Sequence, residues 1–250
     1  MKVGVFDSGV GGLSVVKSLL KQKLFEEIIY FGDTARVPYG VKDKNTIIRY
    51  AIESLEFFKN FDIDILIIAC NTVSAYAMEA LEEEASIPVV GVINPGVKAL
   101  INSFSNKDTK ILVLGTKATV KSGSYETLLK KEGYRDITSI ATGLFVPLVE
   151  EGIFEGDVLE ATMKHYFKDI KSADAIILGC THFPLIEEKI SSYFNGAKTI
   201  HSGDAIVEYL QANYKCDKNF DKTEVKFFAS DNPDGLKKVA QEWLGELLGK

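Results

Sequence analysis

Two cysteines stand where near-continuous apolar runs end, and they are the first candidates for chemistry. Asp64-Ile-Leu-Ile-Ile-Ala-Cys70-Asn71-Thr72 aligns with Asp174-Ala-Ile-Ile-Leu-Gly-Cys180-Thr181-His182 at an offset of 110. A residue just past the carboxyl end of a buried strand, opening the next helix, lies at the edge where open α/β sheets bind ligands. The free N–H groups and positive dipole end of such a helix predict a lowered thiol pKa. The thiolate fraction should then exceed the few per cent of an ordinary cysteine near neutral pH. One such cysteine reads equally well as a small buried hydrophobe. Two at matched positions point to a pair of thiols acting on one ligand.

Small polar groups gather at the same strand ends. Asp7-Ser8 closes the first apolar run, and Thr116 and Thr119 follow its counterpart. Each hydroxyl singly reads as a helix cap. Their common location predicts a small anionic ligand held by N–H groups and hydroxyls, with no arginine among them. Two thiols across a small acid suit racemisation at Cα, with a base on one face and an acid on the other, each about 3–3.5 Å from its proton position. One cysteine serves as thiolate and the other as thiol, and the roles exchange in the reverse direction. Asp7 and His182, beside the respective cysteines, are candidates to tune or relay those protons. His182 also reads as a hydrogen-bonded structural histidine. Cys216, amid Lys215, Asp217 and Lys218, lacks such a setting and reads as a bystander.

The elements that must position these residues alternate along the chain. Strands are expected at Lys2–Phe6, Ile28–Phe31, Ile63–Ala69, Pro88–Val92, Ile111–Gly115, Ile137–Ala141 and Ala175–Gly179. Several are near-continuous Ile, Leu and Val, as in parallel sheets covered on both faces. Helical stretches such as Leu13–Lys23, Thr46–Asn60 and Ser74–Ala85 lie between them. This βαβα order predicts a doubly wound α/β fold. Leu236, Val239, Ala240, Trp243, Leu244, Leu247 and Leu248 fall at helical spacing, with Trp243 as a core or interface anchor.

Self-comparison goes further. Lys2-Val-Gly-Val-Phe-Asp-Ser8 aligns with Lys110-Ile-Leu-Val-Leu-Gly-Thr116 at an offset of 108, and Val37-Pro38 with Val146-Pro147 at 109. With the cysteine segments at 110, three ordered matches indicate an internal duplication of an α/β unit of about 110 residues. The expected architecture is two similar Rossmann-like domains with mainly parallel sheets and the active site between them. One comprises residues 1–92 plus a returning C-terminal segment, 205–250; the other comprises residues 93–204.

Composition narrows the partners. The 250 residues carry 29 Lys and Arg against 35 Asp and Glu, a net charge of −6. Only Arg36, Arg49 and Arg135 are arginines, which argues against a nucleic-acid surface. Three cysteines make no paired framework, and a cytosolic chain keeps them reduced. His165, His182 and His201 are scattered without metal-ligand spacing, so no metal is expected. No apolar run approaches the roughly 18 residues of a membrane span, and Met1-Lys2-Val3-Gly4-Val5-Phe6-Asp7 does not resemble a signal peptide. The expected location is cytoplasmic.

Five segments stand out in order along the chain: Phe6-Asp7-Ser8-Gly9-Val-Gly-Gly12, Gly32-Asp33-Thr34-Ala35-Arg36-Val-Pro38-Tyr39-Gly40, Ala69-Cys70-Asn71-Thr72, Val146-Pro147-Leu148-Val149-Glu150 and Gly179-Cys180-Thr181-His182. Together they resemble the motif set of bacterial glutamate racemases. The resemblance runs in order over essentially the whole chain. It implies cofactor-independent interconversion of L- and D-glutamate, supplying D-glutamate for peptidoglycan. By motif, Cys70 handles the α-proton of the D isomer and Cys180 that of the L isomer. Asp7, Ser8, Pro38, Tyr39, Gly40, Asn71, Thr72, Thr116, Thr119 and Thr181 surround the substrate. Asp7, Asp33, Glu150 and His182 match groups implicated in the family's proton chemistry. Relatives are commonly homodimers of varying arrangement.

Other readings remain at this level. An aspartate racemase of the same superfamily uses the same two thiols, because substrate length depends on pocket depth. A one-cysteine decarboxylase fits poorly when both cysteines are present. Gly9-Val-Gly11-Gly-Leu-Ser14 approximates a dinucleotide-binding loop with Asp33 as its ribose acid. Yet Ser14 replaces the third glycine, and Asp7 puts a carboxylate near the expected pyrophosphate. A two-lobed binding protein needs neither thiol.

Overall fold

The computed structural model describes residues 1–214, 216 and 220–248. Its strands form two sheets in which every pairing is parallel. The first sheet takes β1 (Lys2–Asp7), β2 (Glu27–Gly32), β3 (Ile65–Ile68) and β4 (Val89–Gly91). The second takes β5 (Ile111–Gly115), β6 (Ile137–Ala141), β7 (Ala175–Gly179) and β8 (Lys198–His201). A last strand, β9 (Glu224–Ala229), returns beside β2. The first sheet runs β4-β3-β1-β2-β9 and the second β6-β5-β7-β8.

Read from its other edge, the second sheet runs β8-β7-β5-β6, which is the order β4-β3-β1-β2 again. Register follows: Val3 pairs with Ile28 and Ile65, and Ile111 pairs with Ile137 and Ala175. Even a side-chain bond is duplicated. The Lys2 backbone N–H donates to Asp64 Oδ2 at 2.7 Å, and the Lys110 N–H donates to Asp174 Oδ2 at 2.9 Å. The aspartate that opens each repeated segment thus tethers the start of each central strand.

Alternation along a strand sends successive side chains to opposite faces, and each sheet builds a core on both. Val3 and Val5 pack with Val15, Val16 and Leu19 on one side of the first sheet, while Phe6 packs with Ile47, Leu55 and Phe58 on the other. In the second sheet Leu112 and Leu114 join Phe145 and Phe183, opposite Ile111 and Val113 with Tyr125 and Leu129. Burying each such side chain contributes about 1.5–3 kcal/mol.

The structure departs from the expected elements in three places. The stretch Ser74–Ala85 is not one helix but two, Asn71–Tyr76 and Met78–Glu84. The Ser74 hydroxyl donates to the Ile68 carbonyl and accepts from the Val92 N–H, tying the first piece to the ends of β3 and β4. The C-terminal helix ends at Leu244 because Gly245 takes φ 45°, so Leu247 and Leu248 lie in the 3-10 turn Gly245–Leu248. Strands β8 and β9 have no counterpart among the expected elements. The helix Ser202–Asn213 runs across residue 205, the expected start of the returning segment. Among the described residues, no helix is long and apolar enough to cross a membrane.

Candidate active site

The carboxyl ends of the two sheets enclose a cavity of about 610 Å³. Ser8 and Cys70 reach it from the ends of β1 and β3, and Pro38, Tyr39 and Gly40 from the loop after β2. The second unit supplies Thr116 after β5, Glu150 beyond β6, and Cys180, Thr181 and His182 after β7. Asn71 and Thr72 complete the part of the wall expected from sequence. Asp7, Asp33 and Thr119, also expected at the site, stand behind this wall. Each is buried and bonded to residues that line it.

The thiols have different surroundings. Cys70 caps the helix Asn71–Tyr76, and its Sγ lies 3.4 Å from the Ser8 hydroxyl. The lowered pKa expected at a helix start is not found. Burial pushes this thiol up to about 12 and the charge of Asp7 adds to the rise, while the Ser8 hydroxyl and the Val73 N–H pull it down. Desolvating a thiolate costs more here than a short helix terminus returns. Cys180 departs from expectation differently, because no α-helix begins at it. The 3-10 turn Phe183–Ile186 comes first, and the helix Glu187–Tyr193 follows.

Beside Cys180, His182 forms a chain of contacts. Its Nδ1 lies 3.7 Å from Cys180 Sγ and its Nε2 lies 3.0 Å from Glu150 Oε1. Burial disfavours a charged ring. Hydrogen bonds to Cys180 and Glu150, with the charges of Cys180 and Asp7, outweigh it and raise the pKa to about 10. The imidazolium donates from both nitrogens, so it links the Cys180 sulfur to a carboxylate that is 38% exposed. Asp7 is fully buried, and desolvation raises its pKa above the ordinary carboxylate range. The charge of His182 and the N–H of Gly9 hold it back.

Direct bonds clasp the two units around the cavity. Thr181 Oγ1 donates to Asp7 Oδ1 at 3.3 Å, and the Ser14 hydroxyl donates to the Thr181 carbonyl at 2.7 Å. Thr72 of the first unit closes a hydroxyl triangle with Thr116 and Thr119 of the second, at 2.9, 3.2 and 3.0 Å. Gly11 makes the close approach possible: a Cβ there would lie 2.6 Å from both Cε1 and Nδ1 of His182 and nearer still to Thr181 Oγ1. Gly11 therefore serves packing of one unit against the other, while Gly9 and Gly12 make room for Val37 and for Asp7 and Tyr30 within the first unit, a physical reason for the partial dinucleotide motif.

Asp33 braces the wall from behind. It accepts from Arg36 Nε at 2.6 Å, from the Ser230 hydroxyl at 2.7 Å and from the Tyr39 hydroxyl. Ser230 follows β9, so the returning strand supports the loop carrying Pro38, Tyr39 and Gly40. Trp243 packs between the cores of the two units, with its ring 6.4 Å from that of His182 at 86°. Lys215, Asp217 and Lys218, expected beside Cys216, lie outside the described residues. Sequence reasoning did not single out Lys117, Gly143, Leu144 and Tyr166, which also line the cavity. The Leu144 N–H donates to the Tyr166 hydroxyl at 3.0 Å. No motif marks them, but Lys117 adjoins Thr116, and the alignment of Val37-Pro38 with Val146-Pro147 already pointed to this stretch.

Known proteins share this fold. The profile of the Asp/Glu/Hydantoin racemase family matches residues 11–210. The glutamate racemase of a Nitratiruptor species is 62% identical over 245 residues, covering 98% of this chain and 96% of its own length. The chain belongs to the glutamate racemases. It is thus an amino-acid racemase, an isomerase. The crystal structure of glutamate racemase from Campylobacter jejuni subsp. jejuni superposes with a TM-score of 0.97 at 57% identity, over 99% of each chain. That of the Francisella tularensis subsp. tularensis enzyme, in complex with D-glutamate, gives 0.83 at 34% identity, over 97% of this chain and 93% of the other.

Proposed function

We propose that the chain interconverts L- and D-glutamate without a cofactor, Cys70 and Cys180 taking turns as base and acid. One observation carries this reading: both thiols line the same cavity, from equivalent ends of two equivalent strands. One thiolate removes the α-proton and leaves a carbanion at Cα. The opposite thiol then donates its proton to the other face, so inversion ends with thiolate and thiol exchanged. Family matching gives Cys70 the D isomer's proton and Cys180 that of the L isomer.

The raised pKa of Cys70 reflects the protein's own groups alone. A bound amino acid brings its own ammonium, and a cation near a thiol favours the thiolate. Ser8, Thr72, Thr116 and Thr181 offer hydroxyls for the carboxylates, and His182 exchanges protons with Cys180 through the 3.7 Å contact. Product D-glutamate supplies peptidoglycan synthesis, and the enzyme works in the cytoplasm as a homodimer. Family resemblance supports those last three points.

The test is substitution of each thiol. Cys70→Ser and Cys180→Ser each abolish racemisation of glutamate followed by circular dichroism, because a hydroxyl is far less acidic than a thiol. Full turnover by either variant overturns the two-base assignment.

A further inference from the structure

One side chain outside the cavity touches the immediate neighbours of both cysteines. Tyr125, on the helix Ser124–Lys131 of the second unit, is buried, and its hydroxyl donates to Asn71 Oδ1 at 2.7 Å. Asn71 directly follows Cys70. The other end of its amide is also committed, since Nδ2 donates to the Ser202 hydroxyl at 3.0 Å. The Tyr125 ring lies in a slot between two glycines. A Cβ at Gly179 would sit 3.2 Å from its Cε2, and one at Gly96 would sit 3.4 Å from its Cε1. Gly179 directly precedes Cys180.

We infer that Tyr125 is a positioning residue for the reaction, holding the Cys70 segment at its working distance from the Cys180 segment through Asn71. The inference rests on the two-thiol reading. Its ring indexes against the strand end that carries Cys180, and its hydroxyl orients the amide next to Cys70, so the separation of the sulfurs is set by a rigid aromatic spacer. Burial, reinforced by the charge of Cys180, pushes the Tyr125 phenol above its ordinary range, which keeps it a neutral donor throughout the working pH. It therefore positions without carrying a proton.

Tyr125→Phe keeps the ring and removes only the hydroxyl. The expected result is a fall in kcat of about 10- to 100-fold with either enantiomer, the cost of a small misplacement of reacting groups. KM should stay within twofold, and both limbs of the pH profile should be unmoved. In an Asn71→Ala background the same substitution changes kcat no further. If Tyr125→Phe does not fold, Asn71→Ala decides the matter by removing the acceptor of the same bond: the same fall in kcat with both pH limbs unmoved is expected, and wild-type kcat overturns the inference. A Tyr125→Phe enzyme with wild-type kcat, a shifted pH limb, or losses that multiply in the double variant overturns the inference. If instead Cys70→Ser keeps full turnover, the two-thiol reading itself has failed, whatever Tyr125→Phe shows.

Discussion

Gly11→Ala adds one methyl group at the tightest approach between the two units. Its Cβ would lie 2.6 Å from two ring atoms of His182 and closer to Thr181 Oγ1. Ordinary non-bonded separations are about 3.5 Å, so the segment must retreat by about 1 Å. It has little slack to do so. Thr181 is held at its carbonyl by Ser14 and at its hydroxyl by Asp7, and His182 spans Cys180 and Glu150. The displacement therefore passes to Cys180, away from the first unit. A shift of that size in a reacting group costs about 10²-fold in rate, and overpacking costs about 1–3 kcal/mol of stability. Because Gly11 has no positive φ, both effects are steric. The assay is kcat with saturating L-glutamate by circular dichroism, beside a thermal melt. A folded Gly11→Ala enzyme with kcat within twofold of wild type refutes the reasoning.

Other consequences follow from the same contacts. Glu150→Gln removes one of the groups that hold the His182 pKa near 10, so the imidazolium is lost at lower pH. The alkaline limb of kcat/KM should move down by about one pH unit, a modest effect because a partly exposed carboxylate is screened by water; an unmoved limb contradicts the role given to His182. Asp33→Asn weakens the brace on Tyr39, so KM should rise several-fold with the pH profile unchanged; loss of a pH limb instead shows that Asp33 carries a proton. A hydrogen bond from His201 holds the Asp204 carboxyl near 2, below its ordinary 3.8. That stabilisation is present above pH 3.8 and lost as pH falls through 2. Asp204→Asn should therefore lower Tm at pH 6, with the difference disappearing by pH 2.

Central strands were legible because burial on both faces leaves unbroken apolar runs: β5 and β7 have the expected bounds, and every residue of each is buried. The edge strands β8 and β9 were not. In β8, Lys198 is exposed and only Ile200 is buried, while β9 (Glu-Val-Lys-Phe-Phe-Ala) keeps no fully buried residue. Neither shows the signature of a two-sided core. The repeat was legible as an offset between short motifs, and sheet order, register and the Asp64 and Asp174 tethers extend it into three dimensions. Both thiols and most of the cavity wall were legible from their strand ends. The thiol chemistry was not, since the pKa of Cys70 follows burial and Asp7 rather than the short helix it caps. Tyr125 was equally hidden, because only folding brings it beside Asn71 and Gly179.

Deuterium incorporation in the first per cent of turnover tests the two-thiol claim most directly. L-glutamate is incubated with the purified enzyme in D2O without added cofactor, and product and recovered substrate are separated and examined at Cα by NMR. Two thiols on opposite faces predict D-glutamate that carries deuterium and L-glutamate that still carries its original hydrogen, with the mirror result when D-glutamate is the substrate. Equal deuterium in recovered substrate and product, from either enantiomer, means one base serving both faces and contradicts the account.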